Sequence, residues 1–116
     1  AYLNNCYNVD LLGGGRVSDD AIHLSWIVAV GASATGTLES VTSWLTDFRH
    51  DLPRLDVPVL VVQGDHDRIL PYRYTGRRLP GRIKKAQFVV IEGGPHAIAW
   101  THAEEVNCAL LDFLGR

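Results

Sequence analysis

An α/β fold built on parallel strands is what this 116-residue chain predicts, on three observations. Two short apolar runs, residues 57–62 and 86–91, are rich in β-branched residues and lack polar alternation, the composition of strands covered on both faces. More than a dozen residues connect them, the length that a parallel crossover needs and a hairpin does not. Each run leads into a turn ending in a residue with acid–base chemistry, Gly64-Asp65-His66-Asp67 after the first and Gly93-Gly94-Pro95-His96 after the second. In a parallel sheet all carboxyl ends lie on one edge, so Asp67 and His96 are expected together although 29 positions separate them.

The elements follow in order. Residues 1–17 keep no steady period, and Gly13-Gly14-Gly15 is a breaker, so a loop or a short helix followed by loop is expected. Ser18 before Asp19 and Asp20 is an N-cap with acids in the first turn, opening a helix that is apolar on most sides and ends near Gly31. A helix so widely apolar must be covered by something. Gly31 to Gly36 is a small-residue break. Val41, Trp44, Leu45, Phe48 and Leu52 recur at helical spacing, predicting an amphipathic helix stopped by Pro53. A weaker helix is expected around residues 72–79, broken by Pro80-Gly81. Thr101 and Glu104 form a T-x-x-E capping box before a last helix whose apolar face is Val106, Ala109, Leu110, Phe113 and Leu114.

Composition narrows the function classes. A net charge of -2 gives no electrostatic footprint for nucleic acid or an anionic membrane surface. The basic cluster Arg77, Arg78, Arg82, Lys84 and Lys85 reads as a solvated face of the crossover. No apolar run approaches the roughly 20 residues of a membrane span, and no basic region with an apolar core opens the chain, so a cytoplasmic protein is expected. Cys6 and Cys108 have no metal-ligand spacing and are expected as two buried free thiols.

A carboxylate beside a histidine accepts the Nδ1–H bond, fixes the tautomer and stabilises the imidazolium formed when Nε2 takes a proton from a nucleophile. Alone, Asp67 would be a turn or capping acid and His96 a histidine satisfied at a strand end; at the ends of adjacent strands they read as a pair. Asp65 is the rival acid, and Asp65 with His66 otherwise sits at the pocket edge. A metal set of Asp65, His66, Asp67, His96 and His102 has suitable donors but no ligand spacing, so no metal is expected. Ser33 is the candidate nucleophile within the chain, in Gly31-Ala32-Ser33-Ala34-Thr35. The G-x-S-x-G elbow needs glycine where Thr35 stands, and residues 34–66 are few for the strands and helices that separate nucleophile from acid. Trp26, Leu70 and Trp100 are candidate pocket-wall residues, the two tryptophans having the core as their other reading.

The turns also carry a resemblance. Gly64-Asp65-His66-Asp67-Arg68-Ile69-Leu70-Pro71 resembles the acid turn of α/β-hydrolases, and Glu92-Gly93-Gly94-Pro95-His96 their histidine turn. Tyr7-Asn8, Arg16-Val17-Ser18-Asp19-Asp20-Ala21, Ser25-Trp26, Trp44-Leu45-Thr46-Asp47-Phe48-Arg49, Pro53-Arg54-Leu55-Asp56-Val57-Pro58 and Trp100-Thr101-His102-Ala103-Glu104-Glu105-Val106-Asn107 are similar to the cap and C-terminal part of cofactor-free (non-haem) bacterial haloperoxidases, also described as perhydrolases or esterases.

The resemblance implies the C-terminal part of an α/β-hydrolase fold: parallel strands with a crossover helix, preceded by cap helices and closed by a C-terminal helix. Residues 1–50 would be mostly cap and residues 51–116 part of the core, and the family's elbow serine, oxyanion loop and first strands would precede Ala1. Asp67 would orient His96, and His96 would serve a serine in acyl transfer from an ester or small carboxylic acid to water or hydrogen peroxide. The peracid would then oxidise halide, with no metal, haem or flavin. The expected partners are the substrate and the missing N-terminal part, or a second copy. The rival class is a non-catalytic piece that self-associates or pairs with the other half.

Overall fold

A computed structural model describes residues 1–13 and 15–115; Gly14, the middle of the glycine breaker, and Arg116 lie outside the described residues. The opening stretch forms two short helices, α1 (Tyr2–Tyr7) and α2 (Val9–Leu12), where a loop or one helix was the expectation. The break between them is Asn8, at φ 48 and ψ 51, left-handed backbone that asparagine tolerates better than most side chains. Helix α3 (Asp19–Val30) starts as its sequence dictates: the Ser18 hydroxyl accepts the Ala21 N–H at 3.2 Å, Asp19 and Asp20 fill the first turn, and Gly31 ends it.

The next helix departs from its expected span. Helix α4 (Ala34–Trp44) begins inside the small-residue segment, because the Ser33 hydroxyl caps it at the Gly36 N–H, and it ends well short of Pro53. What stops it is Asp47, which accepts the backbone N–H of Arg49 at 3.0 Å and its guanidinium at 2.6 and 2.8 Å, an Asx turn that competes with helix. Phe48 and Leu52 therefore lie beyond the helix their spacing placed them on. No single helix among the described residues is long and apolar enough to cross a membrane; only α3 and α4 together have the length and composition, bent by 96°.

Strands β1 (Val59–Gly64) and β2 (Ala86–Ile91) pair in parallel, from Val59 opposite Ala86 to Gly64 opposite Ile91. Strand β1 starts two residues later than the apolar run because Pro58 has no N–H; the ladder opens with Val59 N–H on Lys85 O at 2.9 Å. Coverage on both faces does not hold: most residues of both strands are half-buried, and Val90 is exposed. The crossover is not the expected helix but a run of turns with one 3₁₀ turn at Gly76–Arg78. Gln63 explains this, since its side chain takes the Gly76 N–H at 2.9 Å and bonds the Thr75 hydroxyl, fixing this backbone to β1. Tyr72 and Phe88 stack beneath it at 6.5 Å. The basic side chains of this segment are exposed.

Two helices close the chain, α5 (Ile98–Thr101) and α6 (Ala103–Leu114). Thr101 does not cap α6; its hydroxyl donates to Ala97 O and meets His102 Nδ1 at 2.8 Å, so the expected capping box is not formed. Ala109 is buried with Val106 and Phe113 half-buried beside it, a stripe at i, i+3 and i+7. Leu110 and Leu114, expected on that face, are exposed, as is Cys108, whose neighbour Ala109 takes the inward position; of the two thiols only Cys6 is buried. The main core lies elsewhere. Cys6, Tyr7, Val17 and Ala21 pack with Leu3, Val9, Leu12 and Ile22 against Ile69 of the acid turn and Ala97 of the histidine turn.

Candidate active site

The two turns meet because both strands stop beside glycines. A Cβ on Gly64 would overlap the Gly94 carbonyl, and one on Gly94 would lie 3.0 Å from Gly64 Cα. Bare backbones therefore approach closely enough for His66 N–H to reach Gly94 O at 3.0 Å and Asp65 N–H to reach Ile91 O at 3.2 Å. Gly93, at φ +69, presents its N–H to Asp65 Oδ1 at 2.8 Å. The rival acid is thus engaged: Asp65 braces the histidine turn, pairs with His66 Nδ1 at 2.7 Å, and does not face His96.

Asp67 does face it. Its Oδ2 lies 2.9 Å from His96 Nδ1, while Oδ1 accepts the backbone N–H groups of Ile69 at 2.9 Å and Leu70 at 2.8 Å. The Asp67 side chain is 4% exposed and that of His96 34%. Burial alone would raise the Asp67 carboxyl pKa, but the Leu70 N–H, His96, the Ile69 N–H and Gln63 together outweigh it and hold the group below its ordinary value. Asp67 is therefore an anion at neutral pH, seated to accept the Nδ1–H of the imidazole, with Nε2 turned away from the carboxylate.

The composition pattern offered no role for Gln63. Its amide reaches Asp67 Oδ2 at 3.2 Å, Leu70 O at 2.6 Å and Thr75 Oγ1 at 3.1 Å, so one side chain links β1, the acid and the crossover. The signal was present as the sole polar side chain at the end of an apolar strand. Asn8, whose sequence signal is the Tyr7-Asn8 resemblance alone, is fully buried and donates to His66 O at 3.0 Å.

A cavity of about 310 Å³ opens at the pair, lined among others by Gln63, Asp67, Leu70, Thr75, His96 and Ile98. Leu70 is thus brought to the pair. Trp26 and Trp100 are not: both are more than half exposed, and each lines a different surface hollow. Ser33 is exposed at the start of α4, its hydroxyl engaged as a cap, and does not line the cavity. His102 is buried against Thr101; burial, then the Arg16 charge, lowers its pKa, so it is neutral. Among the described residues no group of three or more His, Cys, Asp or Glu is arranged to hold a metal ion.

Comparison with known proteins agrees with the α/β architecture. A family model described as alpha/beta hydrolase fold matches residues 9–103. A putative non-heme chloroperoxidase of Synechocystis sp. is 60% identical over 98% of this chain and 41% of its own length. A non-heme chloroperoxidase of Kitasatospora aureofaciens is 35% identical over 89% of this chain and 38% of its own. The crystal structure of a bromoperoxidase from Bacillus anthracis superimposes with a TM-score of 0.89 at 36% identity, over 99% of this chain and 42% of that one. The chain spans about two fifths of the length of the relatives it matches.

Proposed function

The chain belongs to the alpha/beta hydrolase fold family, and on that premise we propose that it supplies the acid and base of a serine-dependent acyl-transfer site, with Asp67 as the acid and His96 as the base. The observation that carries this is the 2.9 Å contact between His96 Nδ1 and a buried, ionised Asp67 at the carboxyl ends of two parallel strands. The nucleophile on this reading is a serine other than Ser33, whose hydroxyl is engaged as the cap of α4 and does not line the cavity. On this reading residues 1–50 act as cap and residues 51–116 as part of the catalytic core.

The chemistry follows from the pair. The serine Oγ attacks the acyl carbon of an ester while His96 Nε2 takes its proton, then passes that proton to the departing alcohol. Water or hydrogen peroxide attacks the acyl-enzyme, His96 takes its proton and returns it to the serine, and a carboxylic acid or a peracid leaves. A peracid transfers one oxygen to halide, giving hypohalous acid and the carboxylate, so the protein itself needs no redox group. One similar protein, from Acinetobacter calcoaceticus, is named a bifunctional esterase/perhydrolase.

The test is turnover of a short chromogenic ester, and of halide with peroxide and acetate, by purified protein whose native mass is known, together with a covalent serine probe. Activity lost on His96→Ala, with the probe on a serine other than Ser33, supports the reading; activity that survives the substitution overturns it. A second reading, a non-catalytic piece that self-associates or pairs with the rest of the hydrolase, is favoured by the exposed apolar side chains of Trp26, Ile27, Val28, Leu38 and Leu45. It predicts an assembly by native mass and no turnover.

A further inference from the structure

We propose that the junction between α1 and α2 is a positioning device for the acid–base pair, with Asn8 as its central residue. The inference rests on Asp67 and His96 being that pair. Three ties leave this one junction, and each lands next to a member of the pair. The Asn8 amide donates to the carbonyl of His66, the residue before Asp67. Asp10 holds the guanidinium of Arg68, the residue after Asp67, through two bonds of 2.7 and 3.0 Å. The Cys6 carbonyl accepts the N–H of Ala97, the residue after His96, at 2.9 Å.

The junction thus grips the acid turn on both sides and the histidine turn on one, so it fixes one turn relative to the other. The apolar packing has the same reach: Cys6 and Tyr7 share a core with Ile69 and Ala97. Asn8 is not explained as a turn residue alone. Its left-handed backbone would suit glycine better, and a turn asparagine is ordinarily solvated, whereas Asn8 is 0% exposed with its amide nitrogen directed at the acid turn. Only one orientation of the amide can bond the His66 carbonyl, which places Nδ2 there and leaves Oδ1 without a protein partner among the described residues.

The readout is the Nδ1–H proton of His96, observed by NMR in histidine-labelled protein of the full 116 residues, and its exchange with solvent. In the unaltered protein this signal depends on Asp67 and disappears in Asp67→Asn; a signal that persists there overturns the acid–base reading and the positioning inference with it. Asn8→Gly keeps the left-handed backbone and removes the amide. Exchange of that proton accelerates by about fivefold, the effect of losing one hydrogen bond, well below the melting temperature. A merely structural asparagine would lower the melting temperature and leave this proton unmoved, and that result would overturn the proposal. Should Asn8→Gly not fold, Asp10→Asn at an exposed position releases the Arg68 arm: faster exchange supports the proposal and unchanged exchange overturns it.

Discussion

Helices α3 and α4 and the two turns at the strand ends are built on opposite principles. In α3 and α4 most polar bonds are short in sequence: Ser18 and Ser33 cap their own helices, and Ser25, Thr37, Ser40, Thr42 and Ser43 return their hydroxyls to carbonyls four residues back, with the Tyr7 hydroxyl at Ser25 Oγ, 2.7 Å away, as a longer tie. Most of their larger apolar side chains, Val28, Leu38 and Trp44 among them, face outward, while Ala21 is buried in the core. In the turns the bonds are long: His96 to Asp67, Gly93 to Asp65 and Asn8 to His66 join residues 28 to 58 positions apart. Local bonding makes a helix wherever the segment lies, but only long-range bonding fixes the relative position of two reactive groups. The contact between Asp67 and His96 belongs to the second region.

Substitutions should divide along that line. The largest effect is expected for Asp67→Asn, which leaves a side chain of the same shape that favours the wrong imidazole tautomer; ester turnover by the assembled enzyme should fall roughly 10⁴-fold in kcat, measured by steady-state kinetics. Next, Gly64→Ala drives a methyl group into the Gly94 backbone and should cost about 3 kcal/mol by urea unfolding, since backbone on both sides leaves nothing flexible to yield. The same region carries an acid dependence. The Asp67 carboxyl is lowered in the folded state, so its stabilisation is complete above the ordinary value of 3.8 and is lost as pH falls through the lower folded value, the unfolded chain taking up the proton first. Melting temperature should therefore drop as pH falls from the ordinary value of 3.8 through the lower folded one, and less steeply in Asp67→Asn. In the other region, Ser33→Ala should cost about 1 kcal/mol of local helix stability by amide exchange and leave turnover unchanged. Smallest of all, Val28→Gln should change unfolding free energy by no more than about 0.5 kcal/mol while reducing association in native mass.

The same division explains what could be read in advance. The strands, the helix start at Ser18 and the meeting of Asp67 with His96 follow from apolar runs and a parallel crossover, both visible in the order of residues. Polar side chains that take hydrogen bonds in place of regular backbone were not visible. Gln63 replaces the crossover helix with turns, Asp47 ends α4 early, and Thr101 turns to His102 and Ala97 instead of capping α6. In each case a polar side chain competes with backbone for hydrogen bonds, and the winner depends on neighbours that periodicity does not count. The choice of Asp67 over Asp65 is similar. Both acids sit in one turn, and only the close approach allowed by Gly64 and Gly94 assigns one to His96 and the other to Gly93.

The parallel pairing of β1 with β2 also governs the order in which the chain can acquire its chemistry. The crossover between the strands contains a single 3₁₀ turn, so no local nucleus shortens the search, and the loop must close before Val59 meets Ala86. Asp67 and His96 lie just past the ends of that ladder and come within bonding distance only when it is complete. A chain with its helices formed but this ladder unpaired does not hold His96 at Asp67, so the His96–Asp67 bond reports long-range pairing rather than helix formation.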